Sequence, residues 1–276
     1  MRIKEIETIA LVDPGVDGET VVRVHTDEGI TGIGQAESPS LIIDAIIHAD
    51  GGLQQILQDE DPLQVERLWQ KMYSATGLFG RRGVTIAAIG AVETALWDIA
   101  GKALGKPVCE LIWHACCTVR ERGEIKEKVV PYATVYSPGE TVQEIAERFS
   151  LAKSRGFRVM KLEEWPGGFG HVSIHRDIEI VQTVRETIGE DREFLIDVQN
   201  CWYEVGQAIS SIRAIEPFRP FFVEAPLPAD NLAGYARLAD TVDTRIAVGD
   251  WGFTTRFEFD DIMEKGYMDY VISEAI

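Results

Sequence analysis

Three acidic residues carry the strongest chemical signal in the chain: Asp197, Glu224 and Asp250, 27 and then 26 residues apart. Each ends an apolar run, and the spacing is close to one strand-plus-helix unit. Carboxylates one such unit apart fall on adjacent parallel strands, at the C-terminal rim where barrel active sites form. Three converging carboxylates in a partly buried site cannot all stay ionised unless a cation joins them. Hard oxygen ligands select Mg²⁺ or Mn²⁺, with waters or substrate oxygens filling the octahedron. Taken singly, each acid reads as the N-cap of the helix that follows its strand. In register, with Asn200 and Trp202 close behind Asp197, the three read as a metal site.

Lys161-Leu162-Glu163 is the second cluster. Strict alternation puts Lys161 and Glu163 on the same side of a strand, so both can face the mouth of a barrel. Lys161 offers positive charge to a substrate carboxylate; its structural alternative is an ion pair with Glu163 or Glu164. A carboxylate such as Glu163 serves as a base only if burial raises its pKa. His114, Cys116 and Cys117 match no common zinc spacing and read as a loop with incidental thiols.

The elements that would position these residues alternate from residue 129 onward. Apolar strands are expected at 129–135, 158–162, 194–197, 221–224, 245–250 and 267–272. Amphipathic helices fill the gaps at 141–155, 173–188, 204–215, 232–240 and 256–265. Six such units imply parallel pairing through right-handed crossovers and suggest a (β/α) barrel. No GxGxxG or P-loop fingerprint follows any strand, which removes the usual nucleotide-binding readings.

The first part of the chain has another rhythm. Strands are expected at 3–11, 20–26 and 30–35, the last broken by Gly32 and Gly34. Helical periodicity then appears around Ile42–Ile47, over 62–75 and over 84–104. The last segment is apolar nearly all round and is stopped by Gly105-Lys106-Pro107. Strands followed by helices make an α+β domain over 1–125, ahead of the barrel domain over 126–276.

Composition narrows the partners. Twenty-seven Lys+Arg against 45 Asp+Glu give a formal charge of −18, which argues against nucleic acid or an anionic membrane. No window approaches the roughly 18 uncharged apolar residues of a bilayer span. The N-terminus alternates charge with Ile and lacks a signal-peptide core. Four cysteines in a chain of this length fit reduced, cytoplasmic thiols.

Several segments, in this order, resemble the mandelate racemase/muconate lactonizing enzyme branch of the enolase superfamily. They are Arg81-Arg82-Gly83 through Ala95-Leu96-Trp97-Asp98 to Lys106-Pro107, then Asp197-Val198-Gln199-Asn200-Cys201-Trp202, Val223-Glu224-Ala225-Pro226-Leu227, Ile246-Ala247-Val248-Gly249-Asp250 and Thr255-Arg256-Phe257-Glu258-Phe259. The resemblance implies an α+β capping domain on a TIM-type barrel. It also implies one Mg²⁺ held by Asp197, Glu224 and Asp250, the last usually Glu in the family. The implied chemistry is abstraction of the proton α to a carboxylate, with the enediolate stabilised by the metal. The loop from Trp165 to Gly170 is similar to that of acid-sugar dehydratases, so the expected activity is a Mg²⁺-dependent lyase (dehydratase) or a racemase/isomerase. Its substrate would be a small-molecule carboxylate, an acid sugar. Family members are often homo-oligomers.

Two departures accompany the resemblance. The family often carries Lys-x-Lys at the end of the second barrel strand, with the second Lys as base, and here Glu163 stands in that place. Glu274 aligns with the sixth-strand acid that partners a seventh-strand His, and the sequence stops at Ile276. The expected barrel is therefore incomplete, with its first six strands only. Lys161, Glu163 and Glu274 are the expected catalytic set, and Lys161 and Asn200 the expected substrate-binding set. The alternative is a truncated, catalytically inactive member that retains metal binding or a scaffold role.

Overall fold

The computed structural model describes residues 1–13, 16–116, 127–136, 141–163, 173–249, 252–266 and 268–273. Asp250, Glu274, Glu164, Cys117, Tyr267, the Trp165–Gly170 loop and the expected domain boundary at 125/126 lie outside these residues. The chain forms two compact units, Met1–Glu127 and Lys128–Glu274.

In the first unit β1 (Ile3–Asp13), β2 (Val16–Thr26) and β3 (Thr31–Ala36) form an antiparallel sheet in chain order. Helices α1 (Ser40–His48), α2 (Leu53–Leu57), α3 (Val65–Ala75), α4 (Val84–Leu104) and α5 (Val108–Cys116) follow. Gly32 and Gly34 do not break β3. A Cβ on Gly34 would stand 1.9 Å from the Ala91 carbonyl oxygen, and one on Gly32 1.9 Å from that of Ala95. Two glycines at strand period thus face two alanines at helix period, and α4 lies directly on the sheet. Asp98 accepts the Ile33 amide at 2.9 Å and pairs with Lys102, which donates to the Thr31 carbonyl. These contacts satisfy part of an otherwise open strand edge.

Helix α4 is long and apolar enough to cross a membrane by length and composition, but it carries Glu93 and Asp98, and 61% of its most apolar window is buried within the protein. Its core residues include Ile89, Val92, Leu96 and Ile99, none of them exposed. Gly105 ends it in the left-handed conformation at φ 62°. The segment around His114 is helix α5 rather than a loop, and its Cys109 is an exposed free thiol.

The second unit alternates β4 (Tyr132–Tyr136), α6 (Val142–Ser154), β5 (Val159–Glu163), α7 (Ile174–Ile188), β6 (Glu193–Asp197), α8 (Val205–Ile215), β7 (Phe222–Glu224), α9 (Leu232–Ala239), β8 (Ile246–Gly249), α10 (Arg256–Lys265) and β9 (Tyr270–Ile272). The six strands pair in parallel and in chain order, the succession of a barrel wall. Val129 and Val130 are not strand but exposed chain ahead of Tyr132. Capping boxes start α6 (Thr141 with Glu144) and α10 (Thr255 with Glu258), each worth about 1 kcal/mol.

Alternation along these strands builds two layers. Met160, Leu162, Phe194, Ile196, Val223 and Val248 are fully buried in the large core that also holds the helices' apolar faces. Leu195, Phe222 and Ala247, packed with Val159 and Tyr270, form a smaller apolar cluster on the other face. The polar residues considered below share this second face, further along the same strands.

Candidate active site

Strand register brings the acids together. Glu163 is opposite Asp197, and Asp197 is opposite Glu224, so three carboxylates end three adjacent strands in one row. Lys161 sits one alternation earlier, opposite Leu195. Its side chain extends toward the row. Lys161 Nζ donates to Asp197 Oδ2 at 2.9 Å and Glu224 Oε2 at 3.2 Å, and lies 3.6 Å from Glu163 Oε2. Exposure is 6% for Lys161, 8% for Glu163 and 1% for both Asp197 and Glu224. Little water screens the group, so its charges act on each other strongly.

One ammonium cannot match three carboxylates. Burial alone pulls the Lys161 pKa down, but the Asp197, Glu224 and Glu163 charges outweigh it and hold it well above the ordinary lysine value. Burial, reinforced by Asp197, pushes Glu224 up to about 7. Burial likewise raises Glu163, against the pull of Lys161. If every carboxyl is ionised the group keeps two unmatched negative charges, the charge of one divalent cation. The donor set is all oxygen, which suits Mg²⁺ or Mn²⁺.

The loop after β6 supplies one side chain, Gln199, that the sequence had offered only as part of a longer motif. Gln199 donates its backbone N–H to Asp197 Oδ1 at 3.0 Å and its side-chain amide to Glu163 Oε1 at 2.5 Å. It therefore ties neighbouring strands together through their carboxylates. Gln199 and Asn200 take positive φ, 43° and 60°, and so does Ala225 after β7 at 45°. Such non-glycine backbone is costly and is kept where surrounding contacts enforce it. Here the Asn200 amide donates to the Ala225 carbonyl at 2.7 Å and the Val198 amide to that of Glu224 at 3.2 Å. Alternation carried two residues past Asp197 would have picked out Gln199. Tyr132 was also missed: its ring lies 5.6 Å from Lys161 Nζ, and burial raises its phenol pKa.

Among the expected residues, the structure unites Lys161, Glu163, Asp197 and Glu224. Half-buried Asn200 stands at the rim through its backbone contact. Trp202 is fully buried in the helix-side core. Gly249, the residue before Asp250, is forced: a Cβ there would stand 1.7 Å from the Ile272 carbonyl oxygen. Among the described residues no three His, Cys, Asp or Glu side chains form a ready cation cage. Asp197 and Glu224 are instead gathered round the lysine.

Family models match both parts of the chain. Residues 16–113 fit the mandelate racemase/muconate lactonizing enzyme N-terminal domain, and residues 142–275 fit the enolase C-terminal domain-like family. The arabinonate dehydratase of Saccharolobus solfataricus is 31% identical, the match covering 99% of this chain and 74% of that protein. This chain belongs to the mandelate racemase/muconate lactonizing enzyme branch of the enolase superfamily. The D-galactonate dehydratase of Xanthomonas oryzae pv. oryzae is 32% identical over 89% of this chain, and the chain spans only 61% of that enzyme. A racemase from Streptomyces coelicolor A3(2), solved with bound magnesium, superposes with a TM-score of 0.88 at 25% identity, covering 99% of this chain and 77% of that one. The 3,6-anhydro-D-galactonate cycloisomerase of Zobellia galactanivorans superposes at 0.85 with 27% identity, covering 100% and 72%. The N-terminal α+β unit and the parallel six-strand unit are thus the two domains of this superfamily, the second as part of a barrel.

Proposed function

We propose that this chain carries the metal and acid–base residues of an enzyme that removes the proton α to a carboxylate, of the acid-sugar dehydratase or racemase type. The carrying observation is the single row Glu163–Asp197–Glu224 with Lys161 beneath it. Asp197, Glu224 and Asp250 would hold Mg²⁺ or Mn²⁺, whose charge would offset the negative charge that develops on the substrate carboxylate as the α-proton leaves. The magnesium in the Streptomyces racemase supports a divalent ion here.

Lys161 supplies positive charge for the substrate carboxylate. Glu163, its pKa raised, accepts the α-proton, while Gln199 fixes one of its oxygens and so aims the other. Glu274 would serve as the second acid, and Asn200 would hydrogen-bond the substrate. Dehydration, with loss of a β-hydroxyl as water, asks for one competent base; racemisation asks for one on each face. The dehydratase names of the relatives above favour the first. The second reading, an inactive member that retains metal binding, draws on Glu163 in the place of the family's lysine base. Four cysteines in a chain of this length support a cytoplasmic location.

The first test is thermal unfolding in Mg²⁺ against EDTA, for wild type and Asp197→Asn. A midpoint raised by metal in the wild type and not in the variant supports the site. NMR of aldonic acids in D2O then separates the chemistries. Loss of the α-proton signal with a 2-keto-3-deoxy product marks a dehydratase, and exchange with inversion at that carbon marks a racemase. Metal binding without either marks the inactive member.

A further inference from the structure

Lys161 occupies the ground that a cation between Asp197 and Glu224 needs. Its Nζ touches one oxygen of each, at 2.9 and 3.2 Å. An ammonium and a dication cannot share those oxygens at contact, because like charges in a poorly hydrated site repel strongly. A dication bridging those two oxygens therefore requires Lys161 to leave, and a buried ammonium without an anion is costly.

The structure holds a destination. Glu163 Oε2 is 3.6 Å from Nζ, within ion-pair range and beyond a good hydrogen bond. Gln199 grips the other oxygen of that carboxylate while its own backbone is anchored on Asp197. The oxygen turned toward Lys161 is thereby held in place. The Tyr132 ring, 5.6 Å from Nζ, adds a face of negative potential.

We propose that Lys161 is a resident counter-cation, displaced by the divalent ion from Asp197 and Glu224 onto Glu163. The inference rests on the metal-site reading above and adds a second task for Glu163: it receives the displaced lysine and is not a metal ligand.

The test is a double-mutant cycle read by Mn²⁺ binding, using the paramagnetic resonance signal of free Mn²⁺. It compares the whole chain as wild type, Lys161→Met, Glu163→Gln and the double variant. Lys161→Met is expected to bind Mn²⁺ about tenfold more tightly than wild type, and Glu163→Gln roughly threefold or more weakly. In the Lys161→Met background, Glu163→Gln is expected to have a clearly smaller effect, the loss of its through-space attraction for the dication alone, because no lysine is left to receive. Lys161→Gln, which keeps hydrogen-bonding capacity, serves if the Met variant does not fold. An affinity unchanged or weakened by loss of Lys161 overturns the proposal, as does an equal effect of Glu163→Gln in both backgrounds. Absence of Mn²⁺ binding in all four chains instead removes the metal site itself.

Discussion

Lys161 and Asp197 form a 2.9 Å ion pair between β5 and β6, with less than a tenth of either side chain exposed. The same ammonium reaches Glu224 and faces Glu163, so one cation organises the ends of three strands. In a site this dry, electrostatic repulsion among the carboxylates is the dominant force, and the lysine opposes it in the absence of metal.

Removing that lysine should therefore weaken the metal-free fold. Lys161→Met is expected to lose about 3 kcal/mol of stability in EDTA, the cost of stripping one partner from a buried pair. Mg²⁺ at about a hundred times its Kd should return roughly 2.7 kcal/mol. Urea unfolding in EDTA and in Mg²⁺ measures both. A variant as stable as wild type in EDTA would mean that the carboxylates relieve their repulsion by taking up protons.

Glu224 sets a pH dependence of definite sign. Its folded pKa, pushed to about 7, lies above the usual 4.5, so the folded chain binds a proton that the unfolded chain releases. The resulting stabilisation is complete below about pH 4.5 and disappears as the pH rises through 7. At about 1.4 kcal/mol per pKa unit, the contribution lost is between about 1 and 3 kcal/mol. Measured by urea unfolding in EDTA, wild type should lose stability relative to Glu224→Gln by that amount as the pH rises from 5 to 8. A difference constant from pH 5 to 8 would contradict it.

Much of this arrangement was legible in the sequence because it follows from periodicity. Lys161 and Glu163 share a face by alternation, and the spacing of Asp197 and Glu224 is one strand–helix unit, which the strand pairing reproduces. The pairing of Lys161 with both Asp197 and Glu224 was not legible, since it depends on a long side chain reaching across two strands. The positive φ of Gln199 was not legible either, since no propensity assigns one to glutamine. Gly32 and Gly34 were read as strand breakers because their role lies in the helix packed on them, a tertiary cause. Helices α2 and α5, at five and nine residues, are too short for a convincing period.

Arg185 gives a purely structural contrast to Lys161. Its buried guanidinium donates to the carbonyls of Phe218, Gly189, Arg192 and Arg219 at 2.9–3.0 Å and lies over the Phe194 ring. It joins the end of α7 to the turns before β6 and β7. Lysine has a single donor centre and cannot span four acceptors. Arg185→Lys is expected to cost about 2–3 kcal/mol in urea unfolding and to leave Mn²⁺ affinity unchanged. A change in affinity would tie this anchor to the site, against the assignment.

The seat of α4 on β3 is tested by adding single methyl groups. Gly34→Ala places a carbon 1.9 Å from the Ala91 carbonyl oxygen, which is backbone and cannot rotate aside. The sheet and α4 would have to separate, loosening a core that includes Val22, Val24, Ile89 and Val92. Overpacking of this kind costs about 1–3 kcal/mol, and a shift of whole elements belongs at the upper end. Gly206, in the first turn of α8, offers the opposite case: nothing lies within 4 Å of the position its methyl group would take. Gly206→Ala should raise stability by up to about 1 kcal/mol, because alanine loses less backbone freedom in a helix than glycine does. Urea unfolding of both variants, followed by helix circular dichroism, decides the matter. If Gly34→Ala were no less stable than wild type, β3 and α4 would have room to part, and the two-glycine, two-alanine contact would not be what holds them together.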